Sequence, residues 1–188
     1  MRQFQHVLVA FGSNLPVNAA ESAEIIRSAA TSLSGHGMVI RRMSRLFASP
    51  CFPAGAGPDY VNAAALVEVR EGAAEVLARL HIVEAQFGRV REQRWGQRVL
   101  DLDLLAFEDQ VHPDAATQAE WRNLPLAEQK LCAPEQLILP HPRLQDRAFV
   151  LVPLADVAPD WRHPLLGLTV TQMLARLQPA DIAAVTPI

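Results

Sequence analysis

Charged side chains of two kinds follow one another between residues 89 and 103. Two aspartates, Asp101 and Asp103, come shortly after a run that is rich in arginine, which contains Arg89, Arg91, Arg94 and Arg98. A guanidinium group offers a planar fork of donors to phosphate oxygens and stays charged at any working pH. Paired carboxylates bind a hard divalent cation, Mg²⁺ above all. The stretch is therefore typical of a site for a metal-bound polyphosphate.

The spacing of the two aspartates has a geometric consequence. Residues 99–107 read as a β-strand, in which side chains two positions apart share a face. Asp101 and Asp103 are then expected on one face, and the residues expected in the core are Leu100, Leu102 and Leu104. An Asp-x-Asp pair taken alone is more often a solvated strand face, because so short a pattern arises by chance. The neighbouring arginines favour the metal-site interpretation.

The arginine run is also compatible with a solvated loop or with a patch for nucleic acid. A protein with a general nucleic-acid patch usually has a basic balance of charge. This chain has a net charge of -3 and a single lysine. The positive charge is therefore local, and we expect it to serve a local anion.

A second pair of side chains is expected on the face of another strand. Residues 60–69 read as a strand whose core face consists of Val61, Ala63, Ala65, Val67 and Val69. Tyr60 and Asn62 must then share the opposite face. A flat aromatic ring beside an amide that both donates and accepts suits a flat heterocycle with the same edge chemistry. Taken alone, a Tyr-x-Asn pair is more often an ordinary surface feature.

Other elements must bring these two pairs together. An apolar strand at 6–11 is predicted to end in a turn at 12–14, because glycine permits backbone angles that other residues avoid. Apolar spacing predicts helices at 19–33 and 71–87 and, more weakly, a strand at 38–47. A loop rich in proline and glycine is predicted at 49–58. Later helices are expected at 119–130, in the apolar run that ends at Leu154 despite Pro153, and at 169–177.

Length and composition favour one domain over residues 1–188, with a polar insertion around 108–137 to which no function is assigned. A chain of 188 residues with 50% hydrophobic residues can fill a single core. Cys51 and Cys132 form no metal or redox spacing, which favours a reduced, cytoplasmic setting. The apolar segment 7–11 is too short for a signal peptide or a membrane span, and no later one is long enough.

The ordered motifs resemble one known family. The run from Gly88 to Leu105 is similar to the signature of the 6-hydroxymethyl-7,8-dihydropterin pyrophosphokinase family. Three further blocks stand in the order of that family: Phe-Gly-Ser-Asn-Leu at 11–15, Pro-Asp-Tyr-Val-Asn-Ala-Ala at 58–64, and Leu-Pro-His-Pro-Arg at 139–143 followed by Arg-Ala-Phe-Val-Leu at 147–151. The resemblance extends from about Val7 to about Trp161. Gln97 departs from the signature, which has proline or a small residue there, and Ser49-Pro50-Cys51 replaces a common Thr-Pro-Pro.

The resemblance implies a fold, a reaction and partners. The fold is an α+β, ferredoxin-like core with a mainly antiparallel sheet flanked by helices in α/β/α layers. The reaction transfers pyrophosphate from ATP to 6-hydroxymethyl-7,8-dihydropterin in folate biosynthesis, with two Mg²⁺ ions, and releases AMP. The charge and the apolar segments of the chain add the expectation of no nucleic acid and no membrane among the partners, and we expect a monomer in the cytoplasm.

The resemblance also implies roles for individual residues. The catalytic residues are Arg89, Arg98, Asp101 and Asp103, of which Asp101 and Asp103 hold the metal. The ATP-binding residues are Glu84, Arg91, Trp95, Leu104, Ile138, His141 and Arg147. The pterin-binding residues are Ser49, Pro50, Phe52, Tyr60, Asn62, Trp95 and Phe149, with Tyr60 and Phe149 on opposite sides of the ring. Glu84 would be explained equally well as an ordinary exposed glutamate, and His141 could contact phosphate in its neutral or its charged form.

Two rival functions stay open. A catalytically silent relative would bind ATP or pterin but would lose the metal pair, and both aspartates are present here. An RNA-binding domain can share the ferredoxin-like core. It would need an aromatic-rich strand, and the 6% aromatic residues of this chain include no such motif.

Overall fold

The computed structural model describes residues 3–14, 18–51, 57–88, 99–125, 128 and 133–188. The strands in this part of the chain are β1 (Gln5–Ser13), β2 (Val39–Met43), β3 (Phe47–Ser49), β4 (Tyr60–Val69), β5 (Asp101–Phe107) and β6 (Thr186–Pro187). The helices are α1 (Ala19–Gly35), α2 (Ala73–Gln86), α3 (Ala115–Asn123), α4 (Ala148–Val157), α5 (Val170–Leu174) and α6 (Pro179–Ala183). A 3₁₀ turn at Leu144–Asp146 precedes α4.

The strands form one antiparallel sheet. Their order is β5-β1-β4-β3-β6, and β2 also pairs with β4. β1 lies between β4 and β5, and its apolar residues Val7, Leu8, Val9 and Phe11 are buried. A strand that is covered on both faces needs such a continuous apolar run. β1 therefore holds together the two strands that carry the predicted site pairs.

Helices cover both faces of the sheet. α1 and α2 pack on one face, where residues such as Ile26, Leu33 and Leu80 are buried with Val61 and Leu102. On the other face α4 buries Leu151 and Leu154 against Leu8, Ala64 and Leu105. The expected α/β/α layers are thus confirmed. The assignment of all 188 residues to one domain stays a prediction.

α4 forms although it contains Pro153. A proline inside a helix cannot donate to the carbonyl four residues earlier, here that of Phe149. The helix persists because Val150, Leu151 and Leu154 are all buried. The predicted helix through Leu154 is confirmed.

Several predicted elements differ in their bounds from the structure, and two of them were predicted wrongly. The single strand expected at 38–47 is wrong, because the chain leaves β2 at Ser44, whose hydroxyl accepts the N–H of Ala64 at 2.9 Å, and resumes as β3. The helix expected at 119–130 is also wrong in extent. It begins earlier, at the Asp114 cap, and ends before Leu124, which is extended because it precedes proline. Residues 126–127 and 129–132 lie outside the described part.

The C-terminal segment buries His163, which has no role in the predicted site. The ring is fully buried, and its Nδ1 accepts the N–H groups of Leu165 and Leu166 at 3.2 and 3.3 Å. Burial lowers the pKa of His163 to about 4, and the charge of Arg122 acts in the same direction. The folded chain therefore holds this imidazole neutral.

We expect this histidine to make stability depend on pH. The unfolded chain takes up the proton near pH 6.5 and the folded chain only near pH 4. Above pH 6.5 the imidazole is neutral in both states, so protonation of His163 does not reduce stability there. As the pH falls to 4, it should remove about 3 kcal/mol from the free energy of unfolding. Urea unfolding at pH 4 to 7 measures this loss. His163→Asn keeps an acceptor near the position of Nδ1 but does not titrate, so its curve should be flatter. Identical pH curves for the two proteins would contradict the prediction.

Candidate active site

The candidate site lies on the face of the sheet that carries α4, beyond the N-terminus of that helix. Three residues on neighbouring strands form a row across the sheet: Gly12 of β1 pairs with Asp101 of β5 on one side and with Asn62 of β4 on the other. A Cβ atom at Gly12 would lie 3.8 Å from Asp101 Cβ and 3.9 Å from Asn62 Oδ1. The two pairs of side chains that the sequence singled out are therefore separated by one glycine.

Gly12 lies in a different kind of element from the one its sequence predicts. It was expected in a turn that ends the first strand, but β1 continues through Ser13. Gly12 therefore does not form a turn, and an added Cβ at this position would also lie 3.8 Å from Tyr60 Cδ1. A glycine inside a strand pattern often marks a place where a ligand or another chain segment comes close. That signal was available in the sequence.

The acidic half of the site agrees with the predicted strand geometry. Asp101 and Asp103 are half-buried, whereas Leu100, Leu102 and Leu104 are buried on the side of α2. The alternation expected from the Asp-x-Asp spacing is thus confirmed. The β1 partners of the two aspartates are Gly12 and Ala10, both of which are small residues.

Glu84 of α2 makes a hydrogen bond to the strand that carries the acidic pair. It is buried, with 1% of its surface exposed, and its Oε1 accepts the N–H of Leu102 at 2.8 Å. The interpretation as an ordinary exposed glutamate is therefore wrong. Because Leu102 lies between Asp101 and Asp103, this bond fixes the position of the strand segment that carries both carboxylates. The contact of Glu84 with ATP stays a prediction.

His141 lies beside the same strand. Its backbone N–H donates to the carbonyl of Leu105 at 2.8 Å, and its ring Nδ1 accepts the backbone N–H of Arg143 at 3.1 Å. Desolvation lowers the pKa of His141 to about 3, with Arg147 and Arg143 acting in the same direction and Asp101 against it. The imidazole is therefore neutral at pH 7, and Nε2 carries its proton. Of the two forms left open by the sequence, this favours the neutral N–H donor.

Arg147 connects the acidic half with the aromatic half. It is the residue immediately before α4, and burial lowers its pKa although the negative charges of Asp103, Asp146 and Asp101 raise it. Its guanidinium carbon lies 5.6 Å from the centre of the Phe149 ring. A permanent positive charge is thus held within electrostatic range of both carboxylates.

The aromatic half is built on β3 and β4. Tyr60 and Asn62 lie on the same face as Ala64, which packs under α4, so the predicted sharing of a face is confirmed. Asn62 is buried and its Nδ2 donates to Ser49 Oγ at 2.9 Å. Phe149 follows Arg147 and is 37% exposed. An exposed aromatic ring and an oriented amide are the kinds of group that bind a flat polar heterocycle.

For the other predicted site residues, the structure gives a position or leaves them outside the described ranges. Leu104 is in the core under α2, Ile138 is buried, and Pro50 is exposed just after β3. Their ligand contacts stay predictions. The remaining ones lie outside the described residues, and these are Phe52, Arg89, Arg91, Trp95 and Arg98, together with Gln97.

The donor set at Asp101 and Asp103 fits Mg²⁺. Within the described ranges no cluster of three or more His, Cys, Asp or Glu side chains could hold a metal by itself. Mg²⁺ is commonly held by one or two carboxylates and takes its other oxygens from water and substrate phosphates. Two half-buried carboxylates on one face of a strand can supply such ligands.

The fold and the site define an α+β domain in which an acidic pair and a tyrosine-asparagine pair lie on neighbouring parts of one sheet face. The family described as 7,8-dihydro-6-hydroxymethylpterin-pyrophosphokinase matches residues 8–159. This chain belongs to that family. The expected family is thus confirmed, and with it the enzyme class of ATP-dependent diphosphotransferases.

Curated relatives agree with this assignment. The chain is 36% identical over 152 residues to a 2-amino-4-hydroxy-6-hydroxymethyldihydropteridine pyrophosphokinase of Synechocystis, with 81% of this chain and 66% of that protein covered. It is 36% identical over 161 residues to the protein of that name in Pseudomonas aeruginosa, with 85% of each chain covered. The chain therefore spans about two thirds of the first relative and most of the second.

Solved structures agree at the level of the fold. The HPPK-DHPS protein of Plasmodium falciparum, crystallised with pterin and p-hydroxybenzoate, superposes with a TM-score of 0.64 at 13% identity. The match covers 93% of this chain and 43% of that protein. Among the residues described here, no helix combines the length and the apolar character needed to cross a membrane.

Proposed function

We propose that this chain transfers pyrophosphate from ATP to 6-hydroxymethyl-7,8-dihydropterin, a step of folate biosynthesis. The observation that carries the proposal is the row Asp101, Gly12, Asn62 across three neighbouring strands. It brings a carboxylate pair suited to a metal-bound polyphosphate next to an amide and aromatic group suited to a pterin. Membership of the pyrophosphokinase family supports the same pairing of substrates.

The proposed reaction forms one bond and breaks one. The hydroxymethyl oxygen of the pterin attacks the β-phosphorus of ATP, and the bond from that phosphorus to the oxygen bridging to the α-phosphate breaks. AMP leaves, and the hydroxyl proton is released. Two Mg²⁺ ions held by Asp101 and Asp103, when bound, would neutralise phosphate charge. The protein then has to position the two substrates and to compensate charge, and no covalent nucleophile is required.

Two of the described residues could bind the phosphates of ATP. The guanidinium of Arg147 is held near the carboxylate pair and would bind a phosphate oxygen. The neutral His141 would donate a hydrogen bond from its Nε2–H to another phosphate oxygen without adding a charge to the site. Arg89 and Arg98, which lie outside the described residues, are proposed for the same task from the sequence alone.

The pterin would bind over Gly12. Asn62 is already oriented by its bond to Ser49, and its Oδ1 lies close to Gly12. The ring of the substrate would lie between Tyr60 and Phe149. This arrangement points the hydroxymethyl group towards β5, where the carboxylates are.

The direct test is to mix the protein with MgATP and 6-hydroxymethyl-7,8-dihydropterin and to measure AMP. Release of AMP that depends on the pterin supports the proposal. Binding of both substrates without AMP would favour the catalytically silent alternative and would refute the enzyme. Binding of RNA in place of either substrate would favour the RNA-binding alternative.

We also propose that the chain acts as a monomer in the cytoplasm without nucleic acid. The net charge of -3 supports the last point, because it provides no general attraction for a polyanion. Size-exclusion chromatography with light scattering tests the oligomeric state, and an RNA filter-binding assay tests the absence of nucleic acid.

Replacing Asn62 should weaken binding of the pterin without weakening binding of ATP. Asn62→Leu keeps the branched shape of the side chain but removes the polar groups that would pair with the pterin edge. We expect the KM for the pterin to rise by about tenfold or more and the KM for ATP to stay within about twofold, because unpaired polar groups on a buried ligand are costly. Steady-state kinetics with each substrate varied in turn measures both values.

The control for Asn62→Leu is Ser44→Ala. Ser44 is also buried and also makes a side-chain hydrogen bond to β4. Its hydroxyl accepts the N–H of Ala64 and donates to the carbonyl of Arg45, so both of these bonds are to the backbone. This variant should lose stability and keep both KM values. An unchanged pterin KM in Asn62→Leu would contradict the placement of the pterin.

A further inference from the structure

We infer that α3 supports the loop that carries His141, and that Gln118 on α3 is a positioning residue for nucleotide binding. This rests on the proposed function, because it assigns His141 to the ATP side. α3 belongs to the polar insertion around 108–137, for which neither the sequence nor the family resemblance indicated a function. The structure connects it with the site through one side chain.

Gln118 is fully buried, which is unusual for a glutamine. Both ends of its amide are used. Nε2 donates to the carbonyl of Pro140 at 3.0 Å, and Oε1 accepts from Nη1 of Arg122, one turn later on α3, at 2.9 Å. Burial of an amide is costly unless its hydrogen bonds are made. The partners therefore explain the burial, and one of them is next to His141.

The bond from Gln118 holds one end of a single peptide group. The carbonyl of Pro140 and the N–H of His141 belong to the same planar unit. The carbonyl accepts from Gln118, and the N–H donates to Leu105 of β5 at 2.8 Å. A planar group that is held at both its donor and its acceptor cannot rotate about the chain. The direction in which the His141 side chain leaves the backbone is thereby fixed.

Neighbouring contacts support this arrangement. His112, just before α3, and Leu139 exchange two backbone hydrogen bonds of 2.9 and 3.0 Å. Nη1 of Arg143 donates to the carbonyl of Arg122 at 3.4 Å. The insertion thus touches the loop before and after His141, and Gln118 binds between these contacts. Pro142 restricts the backbone of His141 from the other side.

Loss of the bond should affect one substrate more than the other. Without Gln118 the buried carbonyl of Pro140 has no donor from α3, and the peptide group can turn. His141 would then move relative to the phosphates, while Asn62 and Tyr60, two strands away, would keep their positions. A positional error of about 1 Å in a binding group can cost up to a hundredfold in rate.

The decisive variant is Gln118→Glu. A glutamate keeps the acceptor for Arg122, and so the contact within α3, but it presents an oxygen to the Pro140 carbonyl in place of the N–H donor. We expect the dissociation constant of a non-hydrolysable MgATP analogue to rise by about tenfold and the KM for ATP with it, while the pterin KM stays within about twofold. Gln118→Leu, which loses both bonds, should give the same effect.

Arg79→Met is the matched control. Arg79 on α2 likewise donates from a helix to a backbone carbonyl of a connecting segment, that of His36, but on the other face of the sheet. It should lower the midpoint of thermal unfolding and leave nucleotide affinity unchanged.

The outcomes separate the inference from the proposed function. Wild-type affinity for the MgATP analogue in Gln118→Glu would overturn the inference, even if thermal stability fell. An equal loss of affinity for both substrates, or the same loss in Arg79→Met, would also overturn it, because the effect would then be general. Calorimetric binding of the analogue does not require turnover, so this test stands even if the wild-type protein releases no AMP, a result that refutes the proposed function alone.

Discussion

Replacement of Asp101 or Asp103 by asparagine should lower pterin-dependent AMP release by at least about a thousandfold, because each change removes a charged oxygen ligand from a site where phosphate charge must be neutralised. Asparagine has nearly the same shape, and both positions are half-buried on β5, so the fold should stay intact. Single-turnover measurement of AMP, with circular dichroism of each variant, checks both statements. Calorimetry should in addition show weaker binding of the ATP analogue in the presence of Mg²⁺.

The matched control for these variants is Asp109→Asn. Asp109 follows the same strand but is exposed beyond its end. It should release AMP at the wild-type rate. Near-normal turnover in either Asp101→Asn or Asp103→Asn would contradict the assignment of this pair to metal and phosphate.

The regular elements of the fold were predictable from the sequence because their patterns are long. β4 shows five alternating core positions from Val61 to Val69, and α2 places Val76, Leu80 and Val83 on one face. β3 and β6 have three and two residues, too few for any alternation to be read. Their pairing, with Phe47 opposite Pro187, is decided by contacts between residues far apart in the chain. The division of 38–47 into two strands likewise depends on Ser44 meeting Ala64.

The candidate site divides in the same way. The shared face of Asp101 and Asp103 follows from strand periodicity, and so does that of Tyr60 and Asn62. The supporting contacts do not, because Glu84 reaches Leu102 across 18 positions and Gln118 reaches Pro140 across 22. Each joins a helix to a segment whose position is set by tertiary packing. A buried polar residue looks like an exposed one in the sequence until its partner is known.

Gly12→Val should reduce kcat/KM for the pterin by about a hundredfold or more, because the side chain would occupy the space between Asp101 and Asn62 in which the reacting groups must meet. The fold should tolerate the change. An added Cβ meets its three nearest atoms at 3.8 to 3.9 Å, which are ordinary contacts, and a β-branched residue suits a strand better than glycine does. The free energy of unfolding should therefore be unchanged or higher, as urea titration would show.

Gly12→Ala adds only the Cβ and should give an intermediate loss of kcat/KM, so that the effect follows the volume added. Gly35→Val serves as the control, because a Cβ at Gly35 meets nothing within 4 Å and this residue ends α1 on the opposite face of the sheet. It should keep wild-type kinetics. The prediction fails if Gly12→Val retains wild-type kcat/KM for the pterin, since the metal half and the pterin half would then not meet over this glycine. A loss of activity that only accompanies unfolding would contradict it as well, because the glycine would then serve the strand and not the substrates.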